Sequence, residues 1–379
     1  AAESAAEPAA DCAQVCVGAA GAELVANELL GAAGVIAKFA GANFGKAAVV
    51  RLLERAPLGP AAAPLVLRLL EGLAATEVLS PSLPKAVELF NAAAQLELKR
   101  GRDVRYLVPF VGACDSSRFA ALLPRLLPLT AAELKDPQFV GAAGSAVAAA
   151  GGLQGGTGPP LGIAEFEKAI RYRMNAAGTP GSDGAAAAAS DLVELLIRLG
   201  SNPPAPHLRK CVLTAFEVVC QSSSAVSLLA LQRALLRLSE EHKPLMGGTL
   251  CPLLLPRFLN DCARHRPNLG VFLCTQVMPL LVRQGIYSEK ERWQGFLLLS
   301  KRFLGPRPPH ALGALLQLPP MPLAQLLAVL PNAKPQLALF ATQQQAQQQQ
   351  QQQQHPGAPH PGLGGAAFLS PETRGLLGI

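Results

Sequence analysis

Residues Pro267–Pro320 read PNLGVFLCTQVMPLLVRQGIYSEKERWQGFLLLSKRFLGPRPPHALGALLQLPP. Leu273, Val277, Leu280 and Leu281 recur at the three-to-four residue spacing of an amphipathic helix. After Gly285 the same spacing returns in Trp293, Phe296, Leu297 and Leu304. Glycine enters the left-handed region at little steric cost, so Gly285 is expected to close the first helix. Ser288 followed by Glu291 has the form of a capping box that opens the second. The stretch therefore predicts two antiparallel helices joined by a short polar turn. Trp293, the sole tryptophan, falls on the apolar face and is expected in the core.

Outward from this stretch the same grammar repeats. Helices are expected over 64–75, 85–99, 102–112, 117–129, 208–221, 226–241, 250–263 and 322–330, each with leucines at helical spacing. Prolines such as Pro81, Pro84, Pro124, Pro203, Pro204 and Pro319 stand at segment ends, where they punctuate short helices. Alanine and leucine do the packing, because aromatics are only 5% of residues. The fold expected is all-α, an irregular HEAT-like array of antiparallel helix pairs with no strict repeat length.

Composition divides the 379 residues further. Residues 1–21 are alanine-rich and offer little to bury. Residues 22–140 carry the first helical array. Residues 141–190 are Gly/Ala-rich and are expected to form an insert or hinge carrying one isolated helix, Ile163–Met174. Helices resume at Asp191 and run to 341. Residues 342–379 are expected to be a disordered Gln/Pro/Gly-rich tail. Its last segment, Phe368–Ile379, reads as a frayed end rather than a docking peptide.

The chain opens on alanine, which points to a fragment or a processed chain, and no secretory signal pattern begins it. Its most apolar window, 29–50, is interrupted by Lys38, Asn43 and Lys46, so no membrane span is expected. Of the eight cysteines, Cys211, Cys220, Cys262 and Cys274 lie inside helical patterns, as buried reduced thiols do. The net charge of +7 is concentrated between Cys251 and Phe340. That region should present a positive field to its partners.

Tests for chemistry come back empty. Gly41–Ala47 is one residue short of a phosphate-binding loop and lacks its hydroxyl. Cys251, Cys262, His265 and Cys274 contain one Cys-x-x-His pair but no second close pair, so no metal is expected. Cys12 and Cys16 have no histidine nearby. No serine elbow or defined acid–base pair appears, so no catalytic residue and no cofactor are assigned. Two basic clusters, Lys99/Arg100/Arg102/Arg105 and Arg257/Arg264/Arg266, lack interleaved aromatics for base stacking. An acidic protein surface is the better partner for them, with weak RNA contact the lesser reading.

The order of residues in several short motifs resembles the C-terminal region of the symplekin family, scaffolds of pre-mRNA 3′-end processing. The motifs are Pro267, Leu269, Gly270, Phe272 and Val277, then Trp293-x-Gly295-Phe296, then Leu316-Gln317-Leu318-Pro319-Pro320. Weaker matches lie in Asp103–Pro109 (DVRYLVP) and Leu123–Leu126 (LPRL). The resemblance spans about 102–340, interrupted by a poorly matching insert, and the family's N-terminal repeat domain is not recognisable. It implies a nuclear, non-catalytic scaffold of the cleavage and polyadenylation machinery. It also implies docking of the cleavage endonuclease and its inactive homologue. A generic helical-solenoid adaptor and an RNA-binding helical protein are the alternatives.

Overall fold

A computed structural model describes residues 45–55, 62–75, 79–136, 140–141, 161–179, 182–201, 206–223, 225–241, 252–305, 308–354 and 369–379. The protein is all-α, and its only strands among the described residues are two residues long. It divides into two units, Ala1–Ala177 and Gly178–Ile379. Residues 1–44, including the phosphate-loop candidate's first four positions and Cys12 and Cys16, lie outside the described residues.

In the first unit, α1 (Lys46–Arg55) packs on α3 (Pro84–Lys99), with α2 (Ala63–Ala74) alongside. The segment expected as a helix over 102–112 is instead two 3-10 turns, Val104–Tyr106 and Val108–Ala113. Pro109 favours the tight turns, since it has no N–H for an α-helical bond. Gly112 sits beneath a crossing. A Cβ there would stand 2.8 Å from the Leu79 carbonyl, 2.9 Å from the Tyr172 carbonyl and 2.7 Å from the Ala176 Cβ. The helix α4 (Ser116–Leu126) follows, with Asp115 accepting the Arg118 N–H at 2.7 Å as its cap. Next come β1 (Pro128–Leu129), the one-turn α5 (Ala131–Leu134), β2 (Leu161–Gly162) and α6 (Ile163–Ala177). The strands pair in parallel, Pro128 with Leu161 and Leu129 with Gly162.

Two expectations for 141–190 are corrected here. The helix at 163–177 is not isolated: it buries Phe166, Ala169, Ile170 and Met174 and packs on the 3-10 turn Val108–Ala113. Nor does the Ala-rich run before Asp191 belong to a hinge. It is the first half of α7 (Asp183–Ser201), and Ala185, Ala186, Ala188 and Ala189 are buried. Alanine is the best helix former and its small side chain lets neighbouring helices approach closely, so a run without large residues still packs. Residues 142–160 of that stretch lie outside the described residues.

In the second unit, α7 lies against α8 (Pro206–Gln221) and α9 (Leu228–Glu241). The chain continues through α10 (Leu255–His265) and a 3-10 turn, Pro267–Leu269. A single helical run then forms α11: Gly270–Phe272, a π-helical turn Leu273–Val277, and Met278–Arg283. Pro279 has no N–H to donate to Thr275, and the turn ahead of it widens to π. The extra residue per turn rotates the face. Cys274, Met278 and Val282 are buried beside Leu273, Val277 and Leu281, while Leu280 is only half-buried. Gly285 closes this run in the left-handed region, at φ +72°, as its position predicts.

The second helix of the pair, α12, spans Lys290–Leu304. No capping box opens it. Ser288 ends a 3-10 turn, Ile286–Ser288, and its hydroxyl donates back to the Gly285 carbonyl at 2.7 Å. Glu289 takes the cap position instead. A capping box does form at α5, between Thr130 and Glu133. After α12 come α13 (Pro308–Leu315), α14 (Pro320–Val329), α15 (Ala333–Gln354) and α16 (Pro371–Leu377). Within 342–379 the structure thus describes a helix continuing to Gln354 and a second one at the end. Residues 355–368 lie outside the described residues.

Candidate protein-docking surface

Three helices of the second unit, α8, α10 and α12, lie side by side, with α10 in the middle. Their inner faces make the core: Phe216 and Phe258 meet at 4.9 Å between ring centroids, and Leu255, Leu259, Phe296 and Leu299 are fully buried. Gly295 lets α12 close on α10, because a Cβ there would stand 2.7 Å from the Cβ of Pro256. Two residues before Gly295, Trp293 stacks on Phe296 at 5.5 Å with the rings 15° from parallel. Trp293 is 7% exposed and belongs to the core.

The other motif residues fall at joints. Gly270 is buried where α11 begins, and Phe272 is half-buried two residues on. Pro319 stands extended as the cap of α14, and Pro320 opens that helix. In the first unit, the two upstream motifs meet. Arg125 donates to the Arg102 carbonyl at 3.0 Å and pairs with the buried Glu97. Asp103 accepts the Arg105 backbone N–H and both branches of its guanidinium.

The outer face of the three helices is different. Arg257, Asn260 and Arg264 recur at three-to-four residue spacing on α10. Arg264 reaches Glu217 of α8 at 3.6 Å, and Arg302 of α12 donates to the Asn260 side chain at 2.9 Å. These ties place the three outer faces in one row. Arg257, Arg264, Lys301 and Arg302 are exposed; Arg264 pairs with the half-buried Glu217 and Arg257 with Asp261. Leu298, 56% exposed, lies one turn before Lys301 and Arg302 on the same helix face. An exposed apolar side chain beside long cations suits an acidic, partly apolar protein segment.

Beneath the row, Asp261 is buried. Arg257 Nε lies 3.4 Å from its Oδ2, which has no hydrogen bond. Desolvation pushes the Asp261 carboxyl above its ordinary range, and Arg257 offsets this in part.

Charge alone in the sequence misassigned some of these cations. Arg266 is not part of the outer row: it turns inward and donates to the Cys220 and Val226 carbonyls, tying α10 to the end of α8. In the first unit, Lys99 pairs with Glu54 at 2.6 Å, Arg100 donates to the Leu53 carbonyl, and Arg105 is held by Asp103. That cluster is therefore largely engaged within the protein. No group of His, Cys, Asp and Glu suited to a metal occurs among the described residues, and Cys251 lies outside them.

Residues 103–330 match the family model described as symplekin tight junction protein C terminal. The chain belongs to the symplekin family. No curated protein and no solved structure gave a significant match. Symplekin is a scaffold family of pre-mRNA 3′-end processing, and an all-α array of packed helix pairs suits that role. The symplekin match covers the α8–α10–α12 face in full and ends one residue after α14.

Proposed function

We propose that this chain is a non-catalytic nuclear scaffold that docks the cleavage endonuclease and its inactive homologue into the cleavage and polyadenylation machinery. The observation that carries the reading is the α8–α10–α12 face, where exposed Leu298 precedes the exposed cations Lys301 and Arg302 by one turn and Arg302 ties α12 to Asn260 of α10. Buried neighbours fix these three helices, so the side chains above them are held on a rigid frame. Exposed cations speed encounter with an acidic partner, and an exposed leucine beside them slows release. The shortage of exposed aromatics favours a protein partner over single-stranded RNA, whose bases need stacking platforms.

Affinity capture from nuclear extract tests the proposal. The native chain is expected to recover the endonuclease subunits, and a chain carrying Arg264→Glu, Lys301→Glu and Arg302→Glu is expected to lose them. Recovery of no processing subunit by the native chain would sink the reading. Salt-dependent binding of RNA by the native chain, abolished by the same substitutions, would favour nucleic acid as the ligand of this face.

A further inference from the structure

The helix α16 lies beyond the matched residues 103–330, so the family does not account for it. Four of its residues and flank form one stripe: Thr373 and Leu377 are 4% exposed, and Leu369 and Leu376 are half-buried. Their positions, i, i+4, i+7 and i+8, are the anchor spacing by which an amphipathic helix enters a groove. The stripe faces α14 and α15, against which α16 packs.

Both ends of α16 are closed. Ser370 accepts the Thr373 N–H at 3.2 Å, Pro371 takes the first helical position, and Gly378 ends the helix at φ +80°. Even so, a helix of seven residues does not persist alone in water. Its seat holds it, and that seat is small: two fully buried side chains against seven ordered residues. The two helices of the seat also carry exposed apolar side chains. Met321 and Val329 of α14 and Leu339 of α15 are 73%, 58% and 62% exposed. Residues 355–368, rich in proline and glycine, join α15 to α16 in the sequence, so α16 and its seat belong to one chain.

We propose that Leu369–Ile379 is a displaceable ligand of the α14–α15 groove, bound in cis. The groove recognises short capped helices whose anchors repeat the spacing of Leu369, Thr373, Leu376 and Leu377. While α16 is seated, it closes the groove to a partner helix of that pattern. When α16 leaves, the groove opens.

A labelled synthetic peptide, Leu369–Ile379, titrated onto full-length native chain and onto full-length Leu377→Asp chain, tests this. The peptide is expected to bind the variant at least three-fold more tightly, because its cis competitor is gone. A peptide that itself carries Leu377→Asp is expected to bind neither. A ratio below three-fold, or no saturable binding to the variant, overturns the proposal. Thr373→Asp in the full chain provides a second release variant if the first misfolds. Amide exchange of native chain gives an independent reading: Thr373–Leu377 should exchange at least ten-fold faster than the core of α12. Protection equal to α12 would make α16 a fixed part of the core. A native dimer, with Leu377→Asp monomeric at the same concentration, would assign the seat to a second copy's α16 and overturn binding in cis.

Discussion

Gly295 lies directly over Pro256, so close that a Cβ would stand 2.7 Å from the proline Cβ. Glycine in mid-helix costs about 1 kcal/mol relative to alanine, and here that cost permits α12 and α10 to touch. Gly295→Ala restores the helix propensity but wedges the pair apart, because Pro256 is rigid. The net loss is expected to be about 1–2 kcal/mol, from overpacking of about 1–3. Urea denaturation measures it, and a variant as stable as native protein would mean the helices separate freely.

Trp293 offers the converse test. It is buried and stacked on Phe296, so Trp293→Ala leaves a cavity and should cost about 3–5 kcal/mol. Circular dichroism during chemical denaturation reads the shift. If the variant keeps native stability yet loses its partner, Trp293 is an interface residue rather than core.

Charge reversal on the outer row should separate binding from folding. Arg264, Lys301 and Arg302 are exposed, so each substitution by glutamate is expected to cost no more than about 1 kcal/mol, Arg264→Glu the most because Glu217 lies 3.6 Å away. Partner capture should fall in parallel with the number of reversals, and its salt dependence should flatten. A melting curve and a capture titration on the same samples distinguish lost binding from lost structure.

Asp261 makes stability depend on pH in a definite direction. Its carboxyl is held above the ordinary range chiefly by burial, so the native state keeps a proton that the unfolded chain releases. That contribution is complete below the ordinary carboxylate range and declines as pH rises toward the folded value. Asp261→Asn should remove the decline, giving a flatter profile and greater stability than native protein at pH 7. Denaturation series at stepped pH check both points.

The five described cysteines, Cys114, Cys211, Cys220, Cys262 and Cys274, are buried thiols outside any disulfide. Burial pushes the Cys114 thiol up to about 12 and raises that of Cys262, where the Cys220 sulfur lies 3.4 Å away. Iodoacetamide at pH 8 should leave all five unmodified in native protein and label them after denaturation. Peptide mapping by mass spectrometry reports each site.

Much of this molecule was legible from residue spacing. Leucine period and proline position located α2, α3, α8, α9 and α14 to within a few residues, since both act over one or two turns. The same local logic placed Gly285 in the left-handed region and Trp293 inside. The family motifs around Trp293 and Asp103 were legible as well. Ser288 was not. A capping box needs the next residue to begin the helix, and α12 begins one residue later because Gly285 and Ile286 consume the turn first.

Only tertiary structure decided which cations are available and what the small residues are for. Arg266 and Arg264 are two residues apart, yet one turns into two carbonyls and the other joins the outer row. The alanines of α7 and the stripe of α16 likewise acquire a role only from the helices opposite them. Hydrophobic period reports how one helix divides water from core, a property of neighbouring residues. Which surface then meets that face, and which charge finds a carbonyl, depends on segments tens of residues away, and no local pattern encodes it.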